Sequence, residues 1–144
     1  QNNHHVLNIE LKTDQIDYKG IEQTVIGEVK RFGLEDRIIY SSFNRQTLKR
    51  LKELDPKSQI AVLFGVDDLP TQPWEAIAEM DADAIHPDYT TVRRDWVENC
   101  YRHNIQVRPY TVNDICDMKQ LIELEVHGII TDDPDLLQQA LRKP

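Results

Sequence analysis

The feature that most constrains this chain is a repeat of short apolar runs, each followed by an amphipathic stretch. The runs are Leu7–Thr13, Arg37–Phe43, Gln59–Phe64, Ala84–His86, Ile105–Tyr110 and Gly128–Thr131. They recur roughly every 22 to 30 residues, with room for a helix in each interval. Such repetition predicts an α/β fold with a parallel sheet and right-handed crossovers. The intervals carry matching helix signals. Ile21, Val25, Val29 and Phe32 give helical spacing across Gly20–Phe32, and Gly33 supplies a left-handed stop. Asn44 is an N-cap for Arg45–Leu54, which ends at Asp55-Pro56. Pro73 opens a short helix through Met80, and Thr91–His103 is amphipathic. Asn113 caps a helix reaching Val126, and Asp133-Pro134 begins the last one. Residues 1–144 read as a single domain without a linker.

A formal net charge of -8 argues against a nucleic-acid surface or an anionic membrane as partner. A local Lys or Arg can still serve a small anion inside a cleft. Cys100 and Cys116 lie in helical patterns without metal-ligand spacing, as expected of reduced thiols. With no apolar run of transmembrane length and no signal peptide before the first strand, the expectation is a cytoplasmic protein. Gln1–His5 is polar and reads as a frayed terminus, with His4-His5 as metal ligands the competing reading.

In the first run Leu7, Ile9 and Leu11 share one face; Asn8, Glu10 and Lys12 share the other. Parallel sheets in strand–helix folds are covered on both faces. A carboxylate and an ammonium there must bind or pair, unless the strand is a surface strand with a simple Glu–Lys pair. Polar and aromatic residues also gather where the strands end: Phe43, His86, Tyr110, Asn113, Asp132. That edge is where parallel α/β folds build their sites. Each has a plainer reading too. Ser42, Asn113 and Asp133 precede helices as caps, Asp132 is a spare cap, His86 a satisfied structural histidine, and Tyr110 a core residue.

Five stretches then fall in a recognisable order: Leu7-Asn8-Ile9-Glu10-Leu11-Lys12; Tyr40-Ser41-Ser42-Phe43-Asn44; Ala84-Ile85-His86-Pro87; Val107-Arg108-Pro109-Tyr110-Thr111-Val112-Asn113; and Gly128-Ile129-Ile130-Thr131-Asp132-Asp133-Pro134. Over nearly its whole length the chain resembles the glycerophosphodiester phosphodiesterases. The resemblance implies a TIM (β/α)8 barrel that hydrolyses glycerophosphodiesters to sn-glycerol 3-phosphate and an alcohol, usually with a divalent metal such as calcium or magnesium. It assigns Glu10 as one metal ligand of three and Lys12 as a cation beside metal and phosphate. Phe43 and Tyr110 would line the glycerol pocket, where the family commonly has Trp in place of Tyr110. Asp132 matches the last family motif, in a structural or a catalytic role.

The family's opening motifs, His-Arg-Gly, Pro-Glu-Asn-Thr, Glu-x-Asp and His-Asp, do not occur here. The six strands match the third to eighth of the barrel, an incomplete barrel of about six strands in eight. A complete barrel takes about 250 residues. Since both acid–base histidines belong to the absent motifs, the resemblance gives no catalytic residue in this chain, and a metal bound weakly or not at all. Six strands cannot close with the stagger of eight. Leu7–Thr13 and Gly128–Thr131 should therefore be open edges, and inward residues such as Ile60 and Val62 should meet solvent. Open edges predict self-association. The competing reading is a non-catalytic α/β domain, flavodoxin-like in its sheet, that binds a phosphate-bearing ligand or a protein partner.

Overall fold

The computed structural model describes residues 5–142; of the polar terminus, Gln1–His4 lie outside the described residues. Five strands, β1 (Leu7–Glu10), β2 (Ile38–Ser42), β3 (Gln59–Phe64), β4 (Ala84–Pro87) and β5 (Gln106–Val107), make one sheet. Every neighbouring pair is parallel and the order is sequential, β1-β2-β3-β4-β5. Right-handed crossovers in a sequence that never reverses put all the helices on one face. A flavodoxin-like sheet would change direction at its first strand, so this order excludes that sheet type while leaving a non-catalytic binding role open. The fold is an incomplete (β/α) barrel.

The helices are α1 (Ile21–Arg31), α2 (Arg45–Leu54), α3 (Pro73–Ala76), α4 (Arg94–Arg102), α5 (Ile115–Glu123) and α6 (Pro134–Leu141). Asn44 caps α2 by accepting from the Gln46 and Thr47 amides, and Asp133 caps α6 at Leu136. Asn113 is not a cap. That role falls one residue later, to Asp114, which accepts from Cys116 and Asp117. The main core lies between sheet and helices, where Tyr40, Ile60, Val62 and Ile85 meet Ile26, Leu48, Leu51 and Trp96. Ile60 and Val62 are thus fully buried under helices rather than turned inward to solvent. The opposite face holds a smaller cluster, Ile39, Ala61 and Ala84.

The predicted sixth strand, Gly128–Thr131, is not regular. It runs beside the chain after β5, with His127 N–H donating to Val107 O, Ile130 to Pro109 O and Val112 to Ile130 O, each at 2.9 Å. Two donors needed for a full ladder are missing on that side. Pro109 has no N–H, and the Val107 N–H is taken by the His127 ring Nδ1 at 3.1 Å. β5 is correspondingly short, although Arg108 and Tyr110 still bond to β4 through Ile85 O and Pro87 O.

Aromatic side chains bridge the helix-free face beyond the strand ends. β2 and β5 are three strand spacings apart, about 14 Å in a flat sheet, yet the Phe43 and Tyr110 rings beyond their ends meet at 6.0 Å, edge to face. In a barrel-type sheet with its helices outside, the helix-free side is the inner, concave one.

Candidate functional site at the concave end of the sheet

Leu11 joins the helix-side core, so strand alternation sends Glu10 and Lys12 to the concave side. Asn8 confirms that orientation, its Nδ2 donating to Ser41 Oγ of the same face at 3.1 Å. Both Glu10 and Lys12 are exposed. Neither side chain makes a hydrogen bond or ion pair with another described residue. The simple Glu–Lys surface pair does not form.

The backbone around Lys12 is held tightly. Leu11 N–H donates to Ser41 O at 2.8 Å, one residue past the regular strand. Ser42 Oγ donates to Leu11 O at 2.6 Å, and Asn44 Nδ2 donates to Thr13 O at 2.8 Å. The buried hydroxyls of Thr13 and Thr47 lie 2.6 Å apart. From Thr47 the contacts continue to Arg50, whose guanidinium takes Glu22 at 2.7 Å and Asp17 at 3.0 Å. The β1–α1 loop is thereby tied to α2.

Tyr110 stands opposite, half-buried, its hydroxyl donating to Phe64 O at 2.9 Å. Burial pushes its phenol up to about 12, with the Asp88, Asp68 and Glu10 carboxylates adding to the shift. The phenol stays protonated at any ordinary pH. Phe43 is 37% exposed and completes an aromatic wall with it.

His86 is on the concave face but sealed, at 1% exposure. Its Nε2 is 3.3 Å from Arg108 Nη1, and its Nδ1 has no hydrogen-bond partner among the described residues. Burial, reinforced by the Arg108 charge, lowers its pKa to about 3. It is a neutral structural group, though not a fully satisfied one. Asp132 is engaged by Asn113, whose Nδ2 donates to it at 2.9 Å and whose Oδ1 accepts its N–H at 3.0 Å. That exchange pins the chain before α6.

Arg108 lies within a family-matching stretch that gives it no role, and the sequence does not single out Asp68 or Asp88. Arg108 had a signal, because Gln106, Arg108 and Tyr110 alternate onto one face; Arg108 also hydrogen-bonds Gln106. The two aspartates sit in loops after β3 and β4, where no periodicity announces them. Among the described residues no three His, Cys, Asp or Glu side chains converge as a metal centre would require. A hard divalent ion takes six or more oxygen ligands, so the residues present do not by themselves fit one.

The model of the glycerophosphoryl diester phosphodiesterase family matches residues 2–136. The chain belongs to that family. A glycerophosphodiester phosphodiesterase of Caldanaerobacter subterraneus subsp. tengcongensis is 36% identical over 138 residues, covering 96% of this chain and 56% of the relative. A crystal structure of a glycerophosphodiester phosphodiesterase from Parabacteroides distasonis superposes with TM-score 0.81 at 28% identity, over 93% of this chain and 56% of its own. A phosphodiesterase from Oleispira antarctica, solved in complex with the product sn-glycerol-3-phosphate, shares the fold at TM-score 0.78 and 22% identity, over 96% of this chain and 56% of its own. The chain thus spans about half the length of the family members it matches. Among the described residues no helix is long and apolar enough to cross a membrane.

Proposed function

We propose that this chain carries the C-terminal part of a glycerophosphodiester phosphodiesterase, whose intact form hydrolyses glycerophosphodiesters to sn-glycerol 3-phosphate and an alcohol. The observation that carries the reading is a cation, Lys12, with no partner among the described residues, on the concave face that also bears the Phe43–Tyr110 wall. Lys12 would meet the phosphoryl oxygens and stabilise their charge. Phe43 and Tyr110 would pack on the glycerol carbons. Glu10 would be one ligand of a divalent ion whose remaining ligands come from the rest of a full-length protein.

The isolated chain is non-catalytic in this reading. Attack on phosphorus needs a positioned nucleophile and a proton for the leaving alkoxide. His86 cannot supply that proton, being neutral and sealed. The sealed imidazole also favours the second reading, a phosphate-binding α/β domain, for what this polypeptide does unaided. A cytoplasmic setting belongs to the same proposal, supported by two free thiols, Cys100 buried and Cys116 exposed.

The test is glycerol 3-phosphate release from glycerophosphocholine with calcium or magnesium. The chain alone should show none. A chimera with the N-terminal portion of the Caldanaerobacter relative should turn over and lose activity on Lys12→Ala. Turnover by the chain alone, or a chimera indifferent to Lys12→Ala, would refute the assignment.

A further inference from the structure

Asn44 has two jobs that can be separated chemically. Its Oδ1 accepts from Gln46 and Thr47 N–H, at 3.0 and 3.4 Å, and so caps α2. Its Nδ2 donates 2.8 Å to the carbonyl of Thr13. A cap needs the oxygen alone. The amide nitrogen is surplus to the helix and is spent on the residue after Lys12.

Ser42 does the matching job on the other side. Its hydroxyl donates to Leu11 O and accepts the Asn44 N–H at 3.0 Å, which links the two contacts. Both carbonyls flanking Lys12 are therefore held by side chains of a single turn, the one joining β2 to α2. The Lys12 side chain, by contrast, has no partner among the described residues. A long ammonium side chain on a free backbone loses backbone freedom as well as rotamer freedom when it binds. Fixing its Cα beforehand reduces that cost and aims the charge.

We propose that Asn44, with Ser42, is a positioning residue that presents Lys12 to the phosphate of the bound ester. This rests on Lys12 being the phosphate cation, as proposed above. Asn44→Asp is the discriminating variant. Its carboxylate keeps the cap and suits a helix N-terminus, but turns an oxygen toward Thr13 O in place of the donor. Asn44→Ser is the second variant, still a good cap and too short to reach Thr13.

The experiment is NMR on the labelled chain, titrated with sn-glycerol 3-phosphate, for wild type, Asn44→Asp, Asn44→Ser and Lys12→Ala. The wild type should show ligand-dependent shifts at Lys12 and Phe43. Lys12→Ala should lose them. Both Asn44 variants should bind about fivefold more weakly, the worth of one neutral hydrogen bond. Amides 12 and 13 should become mobile while Gln46 and Thr47 keep their protection. The Asn44→Asp deficit should shrink as the introduced carboxyl is protonated at low pH and regains a donor, an effect that loss of packing would not give. Wild-type-like binding by Lys12→Ala, or no response from the wild type, overturns the Lys12 assignment and the inference with it. Loss in Lys12→Ala with wild-type binding and rigid amides 12 and 13 in both Asn44 variants overturns the positioning role alone.

Discussion

The sealed imidazole of His86 makes stability depend on pH with a sign and size that follow from its surroundings. In the folded chain its pKa is about 3, against an ordinary 6.5. At pH 7.5 the ring is neutral in both folded and unfolded chains and contributes no linkage. Below 6.5 the unfolded chain takes up a proton that the folded chain refuses until about pH 3. The unfolded state then binds more protons, so stability falls on acidification throughout that window. Each pH unit is worth about 1.4 kcal/mol, so by pH 5 His86 alone should have removed about 2 kcal/mol. Domains have only about 5–15 kcal/mol in total. The perturbation is His86→Gln, whose amide can accept from Arg108 and does not titrate. Urea unfolding of both proteins at pH 7.5, 6 and 5 gives the two slopes by linear extrapolation. His127 is depressed too, by burial and by Arg108, but it is present in both proteins and largely cancels. The wild type should lose about 2 kcal/mol more than the variant between pH 7.5 and 5. Parallel curves would show that the ring is not held neutral as the geometry requires.

Tyr110→Phe removes a hydrogen bond whose acceptor, Phe64 O, keeps the Asp88 N–H at 3.0 Å. The loss should be about 0.5–1 kcal/mol, the low end for a hydrogen bond; a larger drop in thermal unfolding would contradict that. Arg50→Ala strips the partner from Glu22, whose side chain is 3% exposed, while Arg50 itself is 37% exposed. Because solvent reaches one partner, the cost should be about 1–3 kcal/mol, below that of a wholly buried pair, and adding Glu22→Gln should recover part of it; no recovery would mean the cost is packing. The free edge of β1, beside exposed Val6 and Leu7, should pair with another chain and give a mass that rises with concentration in light scattering. A constant monomer mass at micromolar concentration would refute it.

Much of the fold was legible because the strand–helix alternation is carried by many residues at once. The caps at Asn44 and Asp133 follow from single-residue chemistry that tertiary contacts did not override. What failed had specific causes. The sequence does not show which face Ile60 and Val62 take, because a strand apolar at every position, as β3 is from Ile60 to Phe64, has no polar alternation to say which side is which. Gly128–Thr131 has strand composition, but its pairing depended on Pro109 and His127, both outside the segment. Asn113 looked like a cap because Asp114 beside it has the same chemistry; choosing between them needed the position of Asp132, far along the chain. Arg108 was visible in the alternation after β5, but its contact with His86 joins different strands.

The same distinction separates the two halves of the Lys12 site. Which residues face the hollow of the sheet follows from alternation in β1, where polar and apolar residues do alternate. How firmly Lys12 is aimed does not, because it rests on Ser42, Asn44 and Thr47, which come from the next strand–helix unit. Those contacts are made entirely within the described residues, so the cation can be oriented before any other part of a barrel is present. His86 offers no such local provision for proton transfer, since it is sealed. On the proposed function, anion recognition and turnover should therefore separate experimentally, the first persisting in the isolated chain and the second appearing only with the rest of a full-length protein.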